Sequence, residues 1–207
     1  MDATLHQRLS AHQRPVILLE GTRKLPAEAH GNLRAVTAWL CAEFPRAIFR
    51  SGNAEGTDAV FAEAVAACDP ARLELVLPHA GMGRKRRPTG ARSVALEELP
   101  DADTERVVAV TRQAGRDAGR LGEYYLAHRG GPCSAATSNA TYLLRDTLKV
   151  VGSDALDLTP AALGVFFVNE SDPTRGGTGH TIRVCAVQGV PVAEQSEWKN
   201  WTPATGG

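Results

Sequence analysis

Two glycine-rich turns, each between a short apolar run and an amphipathic helical pattern, most strongly constrain the fold of this chain. The first turn covers residues 50–58 (RSGNAEGTD) and follows the apolar run 47–49; the second covers residues 175–181 (RGGTGHT) and follows the run 163–168. Glycine permits positive φ angles and close approach of the backbone to a ligand. The free N–H groups at the start of the next helix attract anions. The turns therefore predict two strand–turn–helix units that bind phosphate.

Strand-like and helix-like patterns alternate along most of the chain. Short apolar runs predict strands at residues 15–20, 46–50, 73–77, 163–168 and 190–193. Apolar residues at helical spacing predict helices at residues 27–44, 57–68, 138–150 and 178–188. Ser138 is the expected N-cap of the third of these helices. The alternation predicts an α/β fold, a Rossmann-like parallel sheet of about five or more strands flanked by helices.

The pattern breaks once, and the break shapes the expected domain organisation. Residues 82–136 contain a long connection and then a polar helical stretch, 101–128, with an interruption around 115–122. This segment reads as an insertion in a single domain that spans residues 1–207, with residues 195–207 as a tail. The length is ample for one sizeable core.

Composition narrows the class of protein further. The formal net charge is zero and aromatic residues make up 5% of the chain, which argues against a protein that coats nucleic acid. The first 14 residues are polar and lack the apolar region of a secretory signal, and no apolar run reaches membrane-spanning length. We therefore expect a cytoplasmic protein without a membrane partner.

The cysteines and histidines indicate no metal site. Cys41, Cys68, Cys133 and Cys185 are far apart in the sequence, and the six histidines show no ligand spacing. Widely spaced free cysteines fit a reducing cytoplasm.

The predicted strands bring the glycine turns to one edge of the sheet. In open α/β sheets, ligands bind in the crevice beyond the carboxyl ends of the strands. The candidate ligand-binding residues at this edge are Gly21, Thr22, Arg23, Ser51, Gly52, Asn53, Gly56, Thr57, Asp58, Asn169, Gly176, Gly177, Thr178, Gly179, His180 and Thr181. For His180, exposure to solvent near the helix start is the favoured interpretation, and for Gly52 and Gly56 a tight turn is the alternative.

Acidic residues at the same edge are candidates for acid–base chemistry. Glu20 ends an otherwise apolar strand, where a charge needs a partner or a chemical role. Pairing with Arg23 or Arg50 is the favoured interpretation, and general acid–base catalysis is the alternative. Glu55 and Asp58 are the other two candidate carboxylates.

Arginines supply candidate partners for a phosphate. The candidate charge partners are Arg84, Arg145 and Arg183. The basic run that begins at Arg84 is either solvated, a lid over a charged ligand, or a contact for nucleic-acid phosphates. Trp198 and Trp201 are expected to pack against the domain or against a second subunit.

The order of these motifs resembles the SLOG superfamily of Rossmann-like proteins. The resemblance rests on Gly21-Thr22-Arg23, on the first glycine turn with Asn53 in place of a glycine, and on Gly176-Gly177-Thr178 followed by GVPV at 189–192. It covers residues 15–80 and 138–194. The superfamily includes DNA-processing (SMF) proteins, LOG-type phosphoribohydrolases and many nucleotide-binding proteins, and its members often dimerise. The resemblance therefore implies a nucleotide ligand and a homodimer.

One departure from the LOG-type pattern bears on activity. The LOG motif Pro-Gly-Gly-x-Gly-Thr-x-x-Glu aligns with this chain so that Arg175, His180 and Arg183 replace its proline, threonine and glutamate. The glutamate takes part in cleaving the N-glycosidic bond in those enzymes, so its loss argues against the same mechanism. Arg183 would instead hold a phosphate or carboxylate in a bidentate fork.

The sequence thus predicts a sensor or carrier that binds a nucleotide or a nucleotide-derived phosphorylated small molecule. Two alternatives remain open: a nucleoside-monophosphate phosphoribohydrolase or other N-glycosidic enzyme, and a carrier of the molybdenum cofactor, which is a pterin. Nucleic acid is not expected as a partner, and single-stranded DNA binding through the loop 84–92 is the weakest alternative.

Overall fold

The computed structural model describes residues 1–131 and 134–201, so Cys133 and the last six residues of the predicted tail lie outside the described residues. Six parallel strands form one open sheet in the order β4-β3-β2-β1-β5-β6. The strands are β1 Val16–Gly21, β2 Ile48–Ser51, β3 Leu73–Leu77, β4 Arg92–Ala95, β5 Leu163–Phe167 and β6 Val192–Glu194. This arrangement confirms the predicted Rossmann-like α/β fold.

Helices cover both faces of the sheet. They are α1 Ala3–Ala11, α2 His30–Glu43, α3 Thr57–Cys68, α4 Asp101–Ala114, α5 Arg116–His128, α6 Ala135–Val151, α7 Gly176–Val187 and α8 Gln195–Trp198. Alternating strand residues point to opposite faces, so Leu19 joins the core beneath α2 and α3 while Leu18 joins the core beneath α4, α6 and α7. In the described parts of the chain, no helix is long and apolar enough to cross a membrane.

The segment 82–136 contributes to the main sheet, which the sequence patterns did not predict. β4 lies inside the predicted connection and pairs with β3, with Arg92 opposite Glu74. Only Val94 and Ala95 of this edge strand are buried, so its apolar signal is weak. The predicted interruption after α4 falls at Gly115, where α4 ends and α5 begins.

Side-chain capping sets the start of α1, which the sequence patterns did not predict, and the earlier start of α6. The carboxylate of Asp2 accepts the N–H of Thr4 at 2.7 Å and begins α1, which buries little beyond Leu5 and Leu9 and therefore had no clear apolar period. Ser134, rather than Ser138, is the N-cap of α6, and its side chain bonds reciprocally with Thr137.

The tail tryptophans pack within the chain. Trp198 is fully buried, and its indole N–H donates to the carbonyl of Phe166 in β5 at 2.8 Å. Trp201 is 7% exposed and contacts the ring of Trp39 on α2. These two side chains therefore close one end of the core, as one of the two predicted roles requires.

Replacing Trp198 by phenylalanine is expected to lower the free energy of unfolding by about 1–3 kcal/mol, because the substitution leaves a cavity and the carbonyl of Phe166 without its donor. Urea unfolding followed by circular dichroism measures the change. Trp39→Phe, at a partly exposed ring, is the control and should cost less. An equal loss in both variants would contradict the role assigned to the buried hydrogen bond.

Candidate functional site

A cleft of about 950 Å³ opens at the carboxyl end of β1, between α6 and the start of α7. β1 has β2 on one side and β5 on the other, so the strand order reverses here, and open α/β sheets bind ligands at such a position. The predicted site residues that line the cleft are Glu20, Gly21, Thr22, Arg23, Asp58, Arg145, Asn169, Gly176, Gly177 and Thr178.

The other predicted ligand-binding residues do not line the cleft. They are Ser51, Gly52, Asn53, Gly56, Thr57, Gly179, His180 and Thr181. The side chains of Ser51, Thr57, His180 and Thr181 are buried. The sequence located both turns at the correct edge of the sheet, but not the side of each turn that faces the cleft.

The carboxylate of Asp58 holds the first glycine turn in place. It accepts the backbone N–H groups of Gly21 at 3.3 Å, Gly52 at 3.2 Å and Ala54 at 3.4 Å. These bonds tie the ends of β1 and β2 together. Asp58 lines the cleft, but its oxygens are engaged by the main chain, which favours a positioning role over the predicted acid–base or ligand-binding role.

The glycines of the first turn make room for other parts of the protein. A Cβ on Gly52 would lie 1.6 Å from Nη1 of Arg145, and a Cβ on Gly56 would lie 2.4 Å from the carbonyl oxygen of Arg23. Gly56 also has φ of +80°, which disfavours other residues. The close approach that the sequence indicated is therefore made to Arg145 and to the loop after β1.

The second glycine turn presents a helix N-terminus to the cleft. α7 begins at Gly176, two residues earlier than predicted, and no side chain caps its first N–H groups. Gly176 has φ of +69° with open space around its Cα, and the hydroxyl of Thr178 donates to the carbonyl of Gly21 at 3.0 Å. The uncapped end of α7 is thus fixed against β1 and is open to an anion.

A buried chain of charges forms the floor of the cleft. Nζ of Lys149 lies 2.6 Å from Oε1 of Glu20 and 2.7 Å from Oδ1 of Asp146, which is also 3.3 Å from Nε of Arg145. The hydroxyl of Thr181 donates to the second oxygen of Glu20 at 3.2 Å. All four charged side chains are at most 6% exposed. The expected pairing of Glu20 is thus made by a lysine of α6, and not by Arg23 or Arg50.

Arg50 has a different partner because its side chain lies beside β3 and β4, on the far side of β2 from Glu20. Its Nε donates to Glu74 of β3 at 2.5 Å, and its Nη1 donates to the carbonyl of Lys149 at 2.7 Å. Arg92 of β4 binds the other oxygen of Glu74 at 2.6 Å. Arg50 therefore supports the main chain beneath Lys149 without reaching Glu20.

Neighbouring charges separate the pKa values of the two buried acids. Burial raises the pKa of Glu20 to about 7, against the attraction of Lys149 and with the help of Asp146 and Asp58. The pKa of Asp146 is lowered, because attraction to Arg145 and Lys149 outweighs its burial. Asp146 is therefore the fixed negative charge of the cleft, and Glu20 is the group that gains or loses a proton near neutral pH.

Arg145 has unused hydrogen-bonding capacity. Its side chain is 4% exposed; Nε is paired in charge with Asp146 but makes no hydrogen bond to it, and Nη1 also has no hydrogen-bond acceptor among the described residues. Buried donors without acceptors cost free energy. Arg145 contacts Asp146, and a Cβ on Gly177 would lie 2.8 Å from Oδ2 of that carboxylate, so the guanidinium and the start of α7 flank the same part of the cleft.

His180 is buried, which corrects the expectation of a solvated side chain. It is fully buried, and its Nε2 lies 3.0 Å from the hydroxyl of Thr147, which in turn lies 2.7 Å from that of Thr111. Burial lowers the pKa of His180 to about 4. The neutral ring joins α7 to α6 and α4 behind the cleft.

Three charged candidates from the sequence do not line the cleft. Arg183 donates to the main-chain carbonyls of Ala114, at the end of α4, and of Thr174, and it does not line the cleft. Glu55 is 78% exposed and pairs with Arg86 at 2.7 Å on the rim. Arg84 is exposed in the neighbouring turn.

The cleft-lining residues that were missed in the sequence include Asp146, Lys149 and Tyr142. Asp146 and Lys149 stand in the buried, otherwise largely apolar second half of α6, where charges need a reason. That local signal could have found them. Tyr142, one turn earlier, also lines the cleft. Among the described residues, no group of three or more His, Cys, Asp or Glu side chains is arranged to hold a metal ion.

Fold and cleft together define an open-sheet, Rossmann-like α/β protein with a cleft at the switch point of its sheet. A solved structure of DNA processing protein A from Helicobacter pylori, described for its single-stranded DNA binding mode, has the same fold. The TM-score is 0.50 with 12% sequence identity, and the match covers 93% of this chain and 68% of that one. No protein-family model and no curated protein sequence matches this chain.

The structural likeness supports part of the sequence resemblance. DNA-processing proteins were one of the groups whose motifs this chain shares, and a fold in common with one of them is now shown. At this level of identity the likeness establishes the fold alone. Membership of the SLOG superfamily is accordingly a proposal.

Proposed function

We propose that the cleft binds the phosphate of a nucleotide or nucleotide-derived small molecule, and that the protein acts as a sensor or carrier of this ligand. The observation that carries the proposal is the buried guanidinium of Arg145, with two donor atoms that lack hydrogen-bond acceptors, beside the uncapped start of α7. An oxyanion bound there would accept from Arg145 and from the N–H groups of α7.

The charge balance of the cleft favours a ligand with few negative charges. Four acidic and four basic side chains line it: Glu20, Asp58, Asp146, Asp172, Arg23, Arg145, Lys149 and Arg175. A long polyanion would meet as many carboxylates as cations there. A small ligand with one phosphate-bearing end and hydroxyl groups elsewhere matches this mixture, because carboxylates accept hydrogen bonds from sugar hydroxyls.

Arg145→Lys is expected to weaken binding of the four common ribonucleoside 5′-monophosphates about tenfold, because lysine keeps the charge but loses the planar fork. Isothermal titration calorimetry measures the dissociation constants. Arg72→Lys is the matched control, since Arg72 donates to the main-chain carbonyls of Cys41, Phe44 and Ala47, none of which lines the cleft. Equal affinities in the wild type and in Arg145→Lys would refute the phosphate site.

Single-stranded DNA is a second candidate, and a specific observation favours it. The Helicobacter pylori protein with this fold binds single-stranded DNA. Here, the basic turn 84–87 borders the first glycine turn, where the side-chain amide of Asn53 donates to the carbonyl of Gly83 at 3.5 Å. Oligothymidylate titrated at several salt concentrations tests this candidate, because a strand that contacts several phosphates gives a steep salt dependence. A free nucleotide in the cleft predicts a shallow one.

Two further measurements test whether the ligand is a carried cofactor and whether it is turned over. Native mass spectrometry of the purified protein identifies a ligand that stays bound, which separates a nucleotide from a pterin such as molybdenum cofactor. Release of free base from nucleoside monophosphates would instead favour the N-glycosidic enzyme, with Glu20 as the acid–base candidate in the cleft. The homodimer is a separate proposal that sedimentation can test.

A further inference from the structure

α6 presents two different surfaces to the cleft along its length. Near its start the cleft-lining side chains are Asn139, Tyr142 and Leu143; one to two turns later they are Arg145, Asp146 and Lys149. These positions are three or four residues apart and so share a helix face. From residue 139 to residue 149 the helix rises ~15 Å. The cleft is therefore least polar at its outer end and charged at its floor.

Tyr142 is the aromatic residue of this outer end. Its side chain is partly exposed, and it is the one aromatic side chain among the described residues that line the cleft. The guanidinium carbons of Arg23 and Arg145 lie 5.8 Å and 5.6 Å from the centre of its ring. Leu121 of α5 and Pro173 also line the cleft and add apolar surface. This surface adjoins the arginine assigned to the phosphate.

We propose that Tyr142 stacks on the nucleobase of the ligand, so that the cleft distinguishes a nucleotide from a simple sugar phosphate. The inference rests on the proposed function, since it assumes that the phosphate lies at Arg145. With the phosphate at the inner end, the base is directed along α6 to the tyrosine ring. Asn139, one turn further out on the same face, is placed to hydrogen-bond the edge of that base.

The physical basis is that a planar base has an apolar face and a polar edge. Aromatic side chains and guanidinium groups both stack on such faces. A sugar phosphate without a base has no planar group to stack on Tyr142. It would bind only through its phosphate at Arg145. Stacking on one aromatic ring is expected to strengthen binding about tenfold.

Calorimetric titrations of the full chain with the four ribonucleoside 5′-monophosphates and with ribose 5-phosphate test the inference. Tyr142→Ala should weaken the best nucleotide about tenfold and leave the affinity for ribose 5-phosphate unchanged. Tyr142→Phe keeps the ring and should bind both ligands as the wild type does. Tyr124→Ala is the control, because Tyr124 stacks on His128 and lies outside the cleft lining.

Each contrary result has a distinct meaning. If Tyr142→Ala weakens both ligands equally, the ring only positions Arg23 and Arg145, and the stacking role is refuted while the phosphate site stands. If the wild type binds nucleotides no more tightly than ribose 5-phosphate, stacking is again refuted. If the wild type binds none of these ligands, the proposed function fails and the inference fails with it.

Discussion

Gly52→Ala is expected to reduce the affinity for nucleoside monophosphates about a hundredfold, the largest loss among the binding variants. The added methyl group would lie 1.6 Å from Nη1 of Arg145, so the guanidinium must leave its place. The carboxylate of Asp58, which holds the N–H of Gly52, would lie only 2.9 Å from the same methyl group. The ligand thereby loses charge-assisted hydrogen bonds worth about 1.5–3 kcal/mol each.

A matched glycine variant separates this effect from a general effect of alanine. Gly31→Ala lies in α2, where an added Cβ meets no atom within 4 Å, and it should stabilise the protein by about 1 kcal/mol without changing ligand affinity. Circular dichroism establishes whether Gly52→Ala remains folded. Wild-type affinity in a folded Gly52→Ala protein would remove Arg145 from the site, because its side chain cannot keep its position beside that methyl group.

The free energy of unfolding is expected to fall by about 3 kcal/mol between pH 4.5 and pH 7 through Glu20 alone. Its pKa is about 7 in the folded protein, against an ordinary value of 4.5. Between these values the folded protein holds a proton that the unfolded chain has released, so stability decreases as pH rises. Below pH 4.5 and above pH 7 both states bind the same number of protons at this position, and the contribution is flat.

Glu20→Gln isolates this effect, because glutamine resembles the protonated acid at every pH. Urea unfolding measures the free energy of unfolding at pH 5 and at pH 8. This free energy should be lower at pH 8 in the wild type, and the decrease should be smaller by about 3 kcal/mol in Glu20→Gln. Glu63→Gln, at an exposed surface pair with Arg34, should keep the wild-type drop. Asp146 has a lowered pKa and contributes in a separate window, losing its stabilising effect as pH falls below about 4. Equal drops in wild type and Glu20→Gln would contradict the raised pKa of Glu20.

The central parallel strands could be predicted because their signals are local. β1 begins with a continuous apolar run and β3 is apolar except for Glu74, and both are buried along nearly their whole length, which is the pattern of a strand covered on both faces. β4 carried no such signal, since two of its four residues are exposed at the sheet edge. α1 was not predicted for a similar reason: its sequence is mostly polar and buries only two leucines.

The candidate site was only partly predictable, and the glycine turns show why. The sequence indicated that Gly52 and Gly176 permit close approach; at Gly52 the approaching group is Arg145, 93 positions later in the chain, and Gly176 has open space around it. Likewise, the charge at Glu20 needed a partner, and that partner is Lys149 on α6. Which distant side chains meet across a sheet depends on strand order and helix packing, which no local pattern contains.

The local sequence encodes the alternation of strands and helices, the parallel sheet, and the edge of the sheet at which the turns after β1, β2 and β5 lie together. These follow from residue periodicity, from glycine conformations and from the handedness of strand–helix–strand units. The tertiary structure alone decided that the first turn supports Arg145 and that the second opens to the cleft. It also buried Glu20, Asp146 and Lys149 together, because packing α6 against the end of β1 places these charges beyond the reach of water.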